Sequence, residues 1–289
     1  MKNVFLINAY ACRGKTDEIV KLITEKTGGD CEIYLSQKAG DITEKAKTLS
    51  GCRVFSLGGD GTFREAVCGL AETDNVVCAV QIGSGNDFVR SLGGASDLET
   101  ILAEYEAYPV REIDVGTVNG EYFANITTVG YDAEVVQNAE KFKKIPLLRR
   151  FSYIMSIFYT LFTYKGLYAN AEIDGEKYEG KVLLIACANG QYYGGGVRIA
   201  PTAVLDDGFL DVYLVDSVSM FKLFTLLPKL LNGSHINLKY VHRFLAKNIK
   251  ITSNDKFLLN IDGDLFWRES AEIGIVPNGL KILSTVKKD

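Results

Sequence analysis

A chain of 289 residues, 47% of them hydrophobic, has the length for two domains and the apolar content of a folded soluble protein. Its net charge of −4 gives no global basic field, which argues against nucleic acid as the main partner. Six scattered cysteines (Cys12, Cys31, Cys52, Cys68, Cys78, Cys187) form no Cys-x-x-Cys pair, and the two histidines, His235 and His242, match no common zinc spacing, so reduced core thiols are expected and a zinc site is not.

The N-terminus, Met1-Lys2-Asn3 before Val4-Phe5-Leu6-Ile7, is too short for a signal peptide and reads as a first strand, which points to a cytoplasmic protein. Strand-like apolar runs at 4–8, 31–35, 53–57 and 76–82 alternate with helical stretches at 17–26, 41–49 and 62–71. That alternation predicts an α/β domain with a parallel, doubly wound sheet. A helix is expected at 97–106 and strands at 110–118 and 121–128. From about Leu167, short strands separated by Gly, Asn and Asp turns predict an antiparallel, β-sandwich-like domain. The border is set near residue 120, giving domains 1–120 and 121–289, with a return of the last strand to the first domain left open.

Two helical segments interrupt the second half. Residues 151–162 are apolar on most sides and follow Lys141, Lys143, Lys144, Arg149 and Arg150, a basic cluster in an acidic protein. Core packing with a solvated charged face is one reading; a surface that meets anionic lipid heads is the other. Residues 220–231 invite the same pair of readings. No segment reaches the roughly 18 apolar residues that span a bilayer.

The most informative residues are Gly58-Gly59-Asp60-Gly61-Thr62, delivered by the run Arg53-Val54-Phe55-Ser56-Leu57 into a helix. Such a turn offers bare backbone N–H groups beside a helix N-terminus, which suits phosphate. A plain strand-to-helix turn capped by Thr62 is the alternative. One βα unit later, Gly83-Ser84-Gly85-Asn86-Asp87-Phe88 repeats the pattern, and two such turns share the sheet edge where open α/β folds bind ligands. The segment Ala9-Tyr10-Ala11-Cys12-Arg13-Gly14-Lys15-Thr16 nearly matches a Walker A loop, but its first Gly is Ala and no Walker B partner stands out; Arg13 and Lys15 keep a role as point charges near phosphate.

With both turns in hand, the chain resembles the diacylglycerol kinase catalytic family, lipid kinases that include soluble bacterial enzymes and sphingosine kinases. Asn8 closes the first strand as in the family's nucleotide loop, although Ala9 replaces the usual Pro. Residues 58–62 match its GGDGT motif, Glu65 follows at the expected distance, and residues 83–90 match its G-[TS]-G-N-D-F-x-R run. Residues 125–135, Gly194-Gly195-Gly196, Ala200-Pro201 and Asp206-Asp207-Gly208 follow in family order. Asp262-Gly263-Asp264 stands where the family has Asp-Gly-Glu, so Asp264 is one methylene short and its nucleotide contact is in question.

The resemblance implies a kinase using ATP and Mg²⁺, with diacylglycerol as the first acceptor lipid and phosphatidic acid as product. Phosphoryl transfer needs a cradle, a metal and a base. The implied cradle is Gly58, Gly59, Gly61 and Thr62, with Ser84, Gly85 and Asn86 from the second turn and Asn8 from the first. Asp60 and Asp87 would bind Mg²⁺ through water or orient the turns. By the resemblance Asp262 is the general base, Asp114 a carboxylate supporting base or metal, and Asp207 a second Mg²⁺ site completed by carbonyls of Val204 and Phe209. Taken alone, Asp262 reads as an Asp-Gly hairpin and Asp207 as a type I turn. A soluble lipid kinase would work peripherally at the inner face of the membrane, on anionic phospholipid; a homodimer is an open expectation. The rival readings are an NAD kinase and a non-catalytic nucleotide-binding regulator of the same fold.

Overall fold

The computed structural model describes residues 1–82, 86–94, 97–145, 151–219, 222–223, 228–230 and 232–285. In the first half, β1 (Lys2–Asn8), β2 (Glu32–Ser36), β3 (Cys52–Gly58) and β4 (Val76–Gln81) run parallel in the order β2-β1-β3-β4. Their apolar residues serve two cores by simple alternation. Val4 and Leu6 face α2 (Asp41–Ala46) and α3 (Asp60–Leu70), burying Ile42, Phe63 and Val67. Phe5 and Ile7 point the other way, joining Ile23 of α1 (Thr16–Thr27) and Ile101 of α5 (Leu98–Glu104). Strands covered on both faces read as continuous apolar runs, as these do. Between β4 and α5 lies the short α4 (Asp87–Ser91).

The second half is antiparallel. It comprises β5 (Val110–Val118), β6 (Glu121–Phe123), β7 (Ile126–Gly130), β8 (Leu167–Ile173), β9 (Glu176–Ala188), β10 (Leu210–Asp216), β11 (Val241–Ala246), β12 (Asn248–Ile261) and β13 (Asp264–Leu283), with the central order β11-β10-β9-β7-β12-β13. The long strands β9 and β12 are shared: each pairs with β8 along its first half and with β7 near its end. Ile185, Cys187, Val212 and Leu259 fill the core inside this β-sandwich-like domain. Their neighbours Ala186, Ala188, Tyr213 and Val215 face the opposite side, with Leu161 of α7 (Ser152–Thr163).

Two departures from the sequence reading have physical reasons. The strand expected at 121–128 breaks between β6 and β7, because the N–H groups of Ala124, Asn125 and Ile126 turn toward the Asp262 carboxylate. A helix not anticipated, α6 (Tyr131–Lys143), follows Gly130; Asp132 and Glu134 in its first turn and Lys141 and Lys143 in its last complement the helix dipole. The question left open was the course of the last strand: the 20 residues of β13 pair first with β12, then with β5, and finally run parallel to β4 at Lys281–Val76 and Ile282–Val77. The last strand thus returns to the first sheet. Most of 220–231, and Arg149 and Arg150, lie outside the described residues.

Candidate active site

At the C-terminal end of β3 the chain enters α3 with Gly59 as N-cap and no side chain capping the helix. The first-turn N–H groups are therefore left to a ligand or water. Gly58 is required for packing: a Cβ there would lie 2.2 Å from Thr62 Oγ1. A Cβ at Gly59 or Gly61 would meet nothing within 4 Å, and Gly61 is exposed, so the helix start opens onto free space. Asn8 braces this turn from β1: its Nδ2 donates to Thr62 Oγ1 at 3.0 Å, while its Oδ1 accepts the N–H groups of Tyr10 and Ala11. Ser84 and Gly85 lie outside the described residues; Asn86, at φ +62, is the N-cap of α4.

A cleft of about 230 Å³ joins the two halves of the chain, with Asp60, Asp87, Asn125, Tyr193, Gly195 and Asp262 among its walls. Asp60 Oδ1 accepts the Phe88 N–H at 3.2 Å, tying α3 to α4, and burial pushes its proton affinity up. Asp87, 5% exposed, has both oxygens bonded: Oδ1 accepts from Arg90 at 2.8 Å and Oδ2 from the Gly195 N–H at 2.8 Å.

Asp262 sits opposite, in the turn from β12 to β13, at φ +48. Its Oδ1 accepts the N–H groups of Ile126 at 2.7 Å and Asn125 at 3.1 Å, and Oδ2 accepts that of Ala124 at 2.8 Å. A carboxylate has about four lone-pair sites, so one remains, on Oδ2. Burial raises the Asp262 pKa to about 6, against the lowering effect of these N–H groups and of Arg64. A carboxyl titrating there is ionised and yet basic near neutral pH.

The other anticipated residues sit elsewhere. The Glu65 carboxylate accepts the Ile42 N–H at 3.3 Å and so holds α2. Asp114, 1% exposed, binds the Gly208 N–H at 2.7 Å and the Asn278 N–H at 2.8 Å, bracing the Asp206-Asp207-Gly208 turn rather than contacting Asp262. Asp207 caps its own turn through the Phe209 N–H at 3.0 Å, and burial pushes its proton affinity up, with Asp211, Asp114 and Asp206 adding to the effect. Val204 is exposed nearby. Among the described residues no three His, Cys, Asp or Glu side chains group as metal ligands. Arg13 and Lys15 are exposed in the first βα turn.

Sequence reasoning missed four participants. Buried Arg64 reaches from α3 to Asp264 and, at 3.2 Å, to Glu121, so the shortened family carboxylate is spent on an ion pair. Asn125 donates its N–H to Asp262 and lines the cleft, while its buried, unpartnered Oδ1 packs against Gly190. Tyr193 forms a wall of the cleft and also of a second, larger cavity of about 550 Å³, lined by apolar residues such as Val135, Ile157, Leu183 and Val215. Asp132 is the acidic group in that otherwise apolar lining. Only their place in the fold brings these residues together.

Above the apolar cavity, α7 is inverted. Ser152, Ser156 and Thr160, spaced by four, are buried, and Thr160 Oγ1 accepts from Asn138 of α6 at 2.9 Å. Met155, Tyr159 and Phe162 are exposed instead, beside Phe151 and Ile145, while Tyr153 and Phe158 are exposed in part and also line the cavity.

The diacylglycerol kinase catalytic domain model matches residues 2–118, and that of the YegS C-terminal NAD kinase beta sandwich-like domain matches 125–284. A protein named diacylglycerol kinase from Bacillus subtilis (strain 168) is 30% identical over 249 residues, 83% of this chain and 81% of that one. Another of that name, from Staphylococcus aureus (strain Newman), is 30% identical over 254 residues, 86% and 79% of the two chains. A crystal structure of a diacylglycerol kinase from Bacillus anthracis str. Sterne shares the fold, with a TM-score of 0.72 at 22% identity over 98% of this chain and 97% of the other.

Proposed function

Since the chain belongs to the diacylglycerol kinase catalytic family, we propose that it transfers the γ-phosphoryl group of ATP, with Mg²⁺, to a lipid hydroxyl, and that diacylglycerol is the acceptor. The observation that carries this reading is the junction at Tyr193: a carboxylate cleft for phosphoryl transfer opens beside an apolar cavity large enough for lipid chain. An NAD kinase has no use for such a cavity.

In this reading the bare N–H groups at the start of α3 receive the triphosphate, whose negative charge the helix N-terminus favours. Asp60 supplies a hard oxygen in the cleft, which fits Mg²⁺ held mainly by phosphate oxygens with one or two carboxylates. When bound, the metal neutralises charge on the transferred group. The acceptor hydroxyl would donate to the remaining lone pair of Asp262 Oδ2, which takes its proton as the oxygen attacks the γ-phosphorus and the bond to the bridging oxygen breaks, ADP leaving. Three backbone N–H groups keep that carboxylate from turning away. Asn125, fixed through its N–H to Asp262 and its Nδ2 to the Tyr192 carbonyl at 2.7 Å, helps to hold this wall of the cleft.

Access to substrate follows from α7. Aromatic residues facing outward from a helix whose small polar residues face inward suit insertion at a lipid interface, and Lys141, Lys143 and Lys144 at the end of α6 suit anionic headgroups. The protein would then act peripherally at the inner membrane face. The test is phosphate transfer from γ-labelled ATP to a lipid panel in anionic mixed micelles, with NAD in parallel, for wild type and Asp262→Asn. Label in phosphatidic acid that vanishes in the variant supports the reading; label in NAD alone, or in no acceptor, overturns it.

A further inference from the structure

The wall between the cleft and the apolar cavity is a closed hydrogen-bonded set. Asn260, 1% exposed on β12, uses both ends of its amide there. Its Oδ1 accepts the Gly263 N–H at 2.9 Å, and its Nδ2 donates to Asp132 Oδ2 at 2.8 Å and to the Tyr193 hydroxyl. Asp132 Oδ2 accepts a second bond, from Thr128 Oγ1 at 2.7 Å, and the Tyr193 hydroxyl also bonds this carboxylate. These donors partly offset the burial that pushes the Asp132 proton affinity up.

The direction of the Asn260 amide decides the turn beside it. Reversed, its NH₂ would face the Gly263 N–H and its oxygen would face a carboxylate, two repulsive contacts in place of two bonds. Gly263 adjoins Asp262, and the pair, at φ +48 and +103, closes a two-residue hairpin turn that Asp-Gly favours; the bond from the Gly263 N–H to Asn260 fixes where that turn sits. Asp132 can only accept when ionised, and therefore selects the amide orientation that puts Oδ1 on the turn.

Resting on the kinase reading above, we propose that Asp132 is a positioning residue for phosphoryl transfer: through the Asn260 amide it holds the Asp262-Gly263 turn in the left-handed geometry that aims the Asp262 carboxylate into the cleft. Asp132 belongs at the same time to the lining of the apolar cavity. The wall that lipid would touch is thus the support of the base.

Because one oxygen, Oδ2, accepts both the Asn260 and the Thr128 bonds, an amide whose oxygen occupies that place preserves them. Asp132→Asn is therefore expected to keep kcat within about threefold of wild type, whereas Asp132→Ala lowers kcat about tenfold or more with KM for ATP nearly unchanged. A second arm needs no substrate. In hydrogen exchange, Asp132→Ala should speed exchange of the Gly263 amide by about tenfold or more, while β1 and β3 keep wild-type protection and Asp132→Asn leaves the turn unchanged. Wild-type kcat and exchange in Asp132→Ala would overturn the proposal, as would equal damage by both substitutions, which would make charge rather than the shared acceptor the cause. If the wild type phosphorylates no lipid, the kinase reading falls, and the exchange arm still decides whether Asp132 holds the turn.

Discussion

The turn at Gly58-Gly59-Asp60-Gly61-Thr62 and the turn at Asn260-Ile261-Asp262-Gly263-Asp264 both set an aspartate beside a glycine at a strand end, yet they use their backbone in opposite ways. In the first, side chains stand aside and the N–H groups of a helix start are left unspent. In the second, the side chain is the focus: Asp262 accepts three N–H groups from the segment before β7 and donates its own to the Ile126 carbonyl at 2.9 Å. An exposed amide attracts phosphate, whereas a carboxylate fixed by amides keeps one lone pair for a proton. In the proposed reading the first turn is thus the anion site and the second the base.

The sharpest way to break this contrast is Asp262→Asn. An amide cannot take the hydroxyl proton, and kcat should fall by about 10³-fold, measured at saturating ATP and lipid. On the other side, Gly58→Ala forces a Cβ into Thr62 and should destabilise the fold by about 1–3 kcal/mol in a denaturant melt. Gly61→Ala, with open space above it, should leave stability within about 0.5 kcal/mol and weaken nucleotide binding roughly tenfold in a fluorescent-ATP titration. Equal behaviour of these two alanines would refute the division between a packing glycine and a cradle glycine.

A pH series sharpens the comparison further. With Asp262 acting as an ionised base, kcat/KM should rise with pH through an acid limb near pH 6, its pKa being raised from 3.8 to about 6. The linkage has the opposite sign for the fold. A raised carboxyl pKa favours the protonated folded form, so this group's stabilisation is full below 3.8 and is lost as pH rises through about 6. Arg64 lowers that pKa, so Arg64→Gln should move the acid limb to higher pH. The smallest effect is expected at α7: Phe162→Ser, at a residue 65% exposed, should weaken sedimentation with anionic vesicles roughly threefold and leave turnover of a short-chain dispersed lipid unchanged.

What could be read from the sequence follows the same contrast. The glycine turn from β3 into α3, and the aspartates at 60 and 87 that open helices there, were legible because backbone chemistry leaves local marks: glycines at fixed spacing, after apolar strands and before helices; Asp262 was marked only by the family resemblance, its own residues reading as a hairpin. The roles of Glu65 and Asp114 were not, since a carboxylate next to a motif can as readily cap a neighbouring element, and here both hold N–H groups of other segments. Arg64, Asp132 and Tyr193 carry no local mark. They meet the site only because β12 and β13 bring residues 260–264 against α3, β7 and the Gly194-Gly195-Gly196 loop. The alternation of β1 to β4 was plain in sequence, whereas α6 passed unnoticed because residues 125–135 were read as a motif, although its acidic first turn and basic last turn were visible.

The length of β13 has a consequence for biosynthesis. β4 offers one edge to β3, and the other stays uncovered until Lys281 and Ile282 arrive. At translation rates of about 5–20 residues per second, an interval of some 200 residues leaves that apolar edge open for roughly 10–40 s. The first sheet cannot close ahead of the second, and the nascent chain carries an unpaired strand that chaperones or a neighbouring chain can reach. A substitution near residue 281 would accordingly act first on yield during synthesis, before any change in the finished enzyme's turnover is seen.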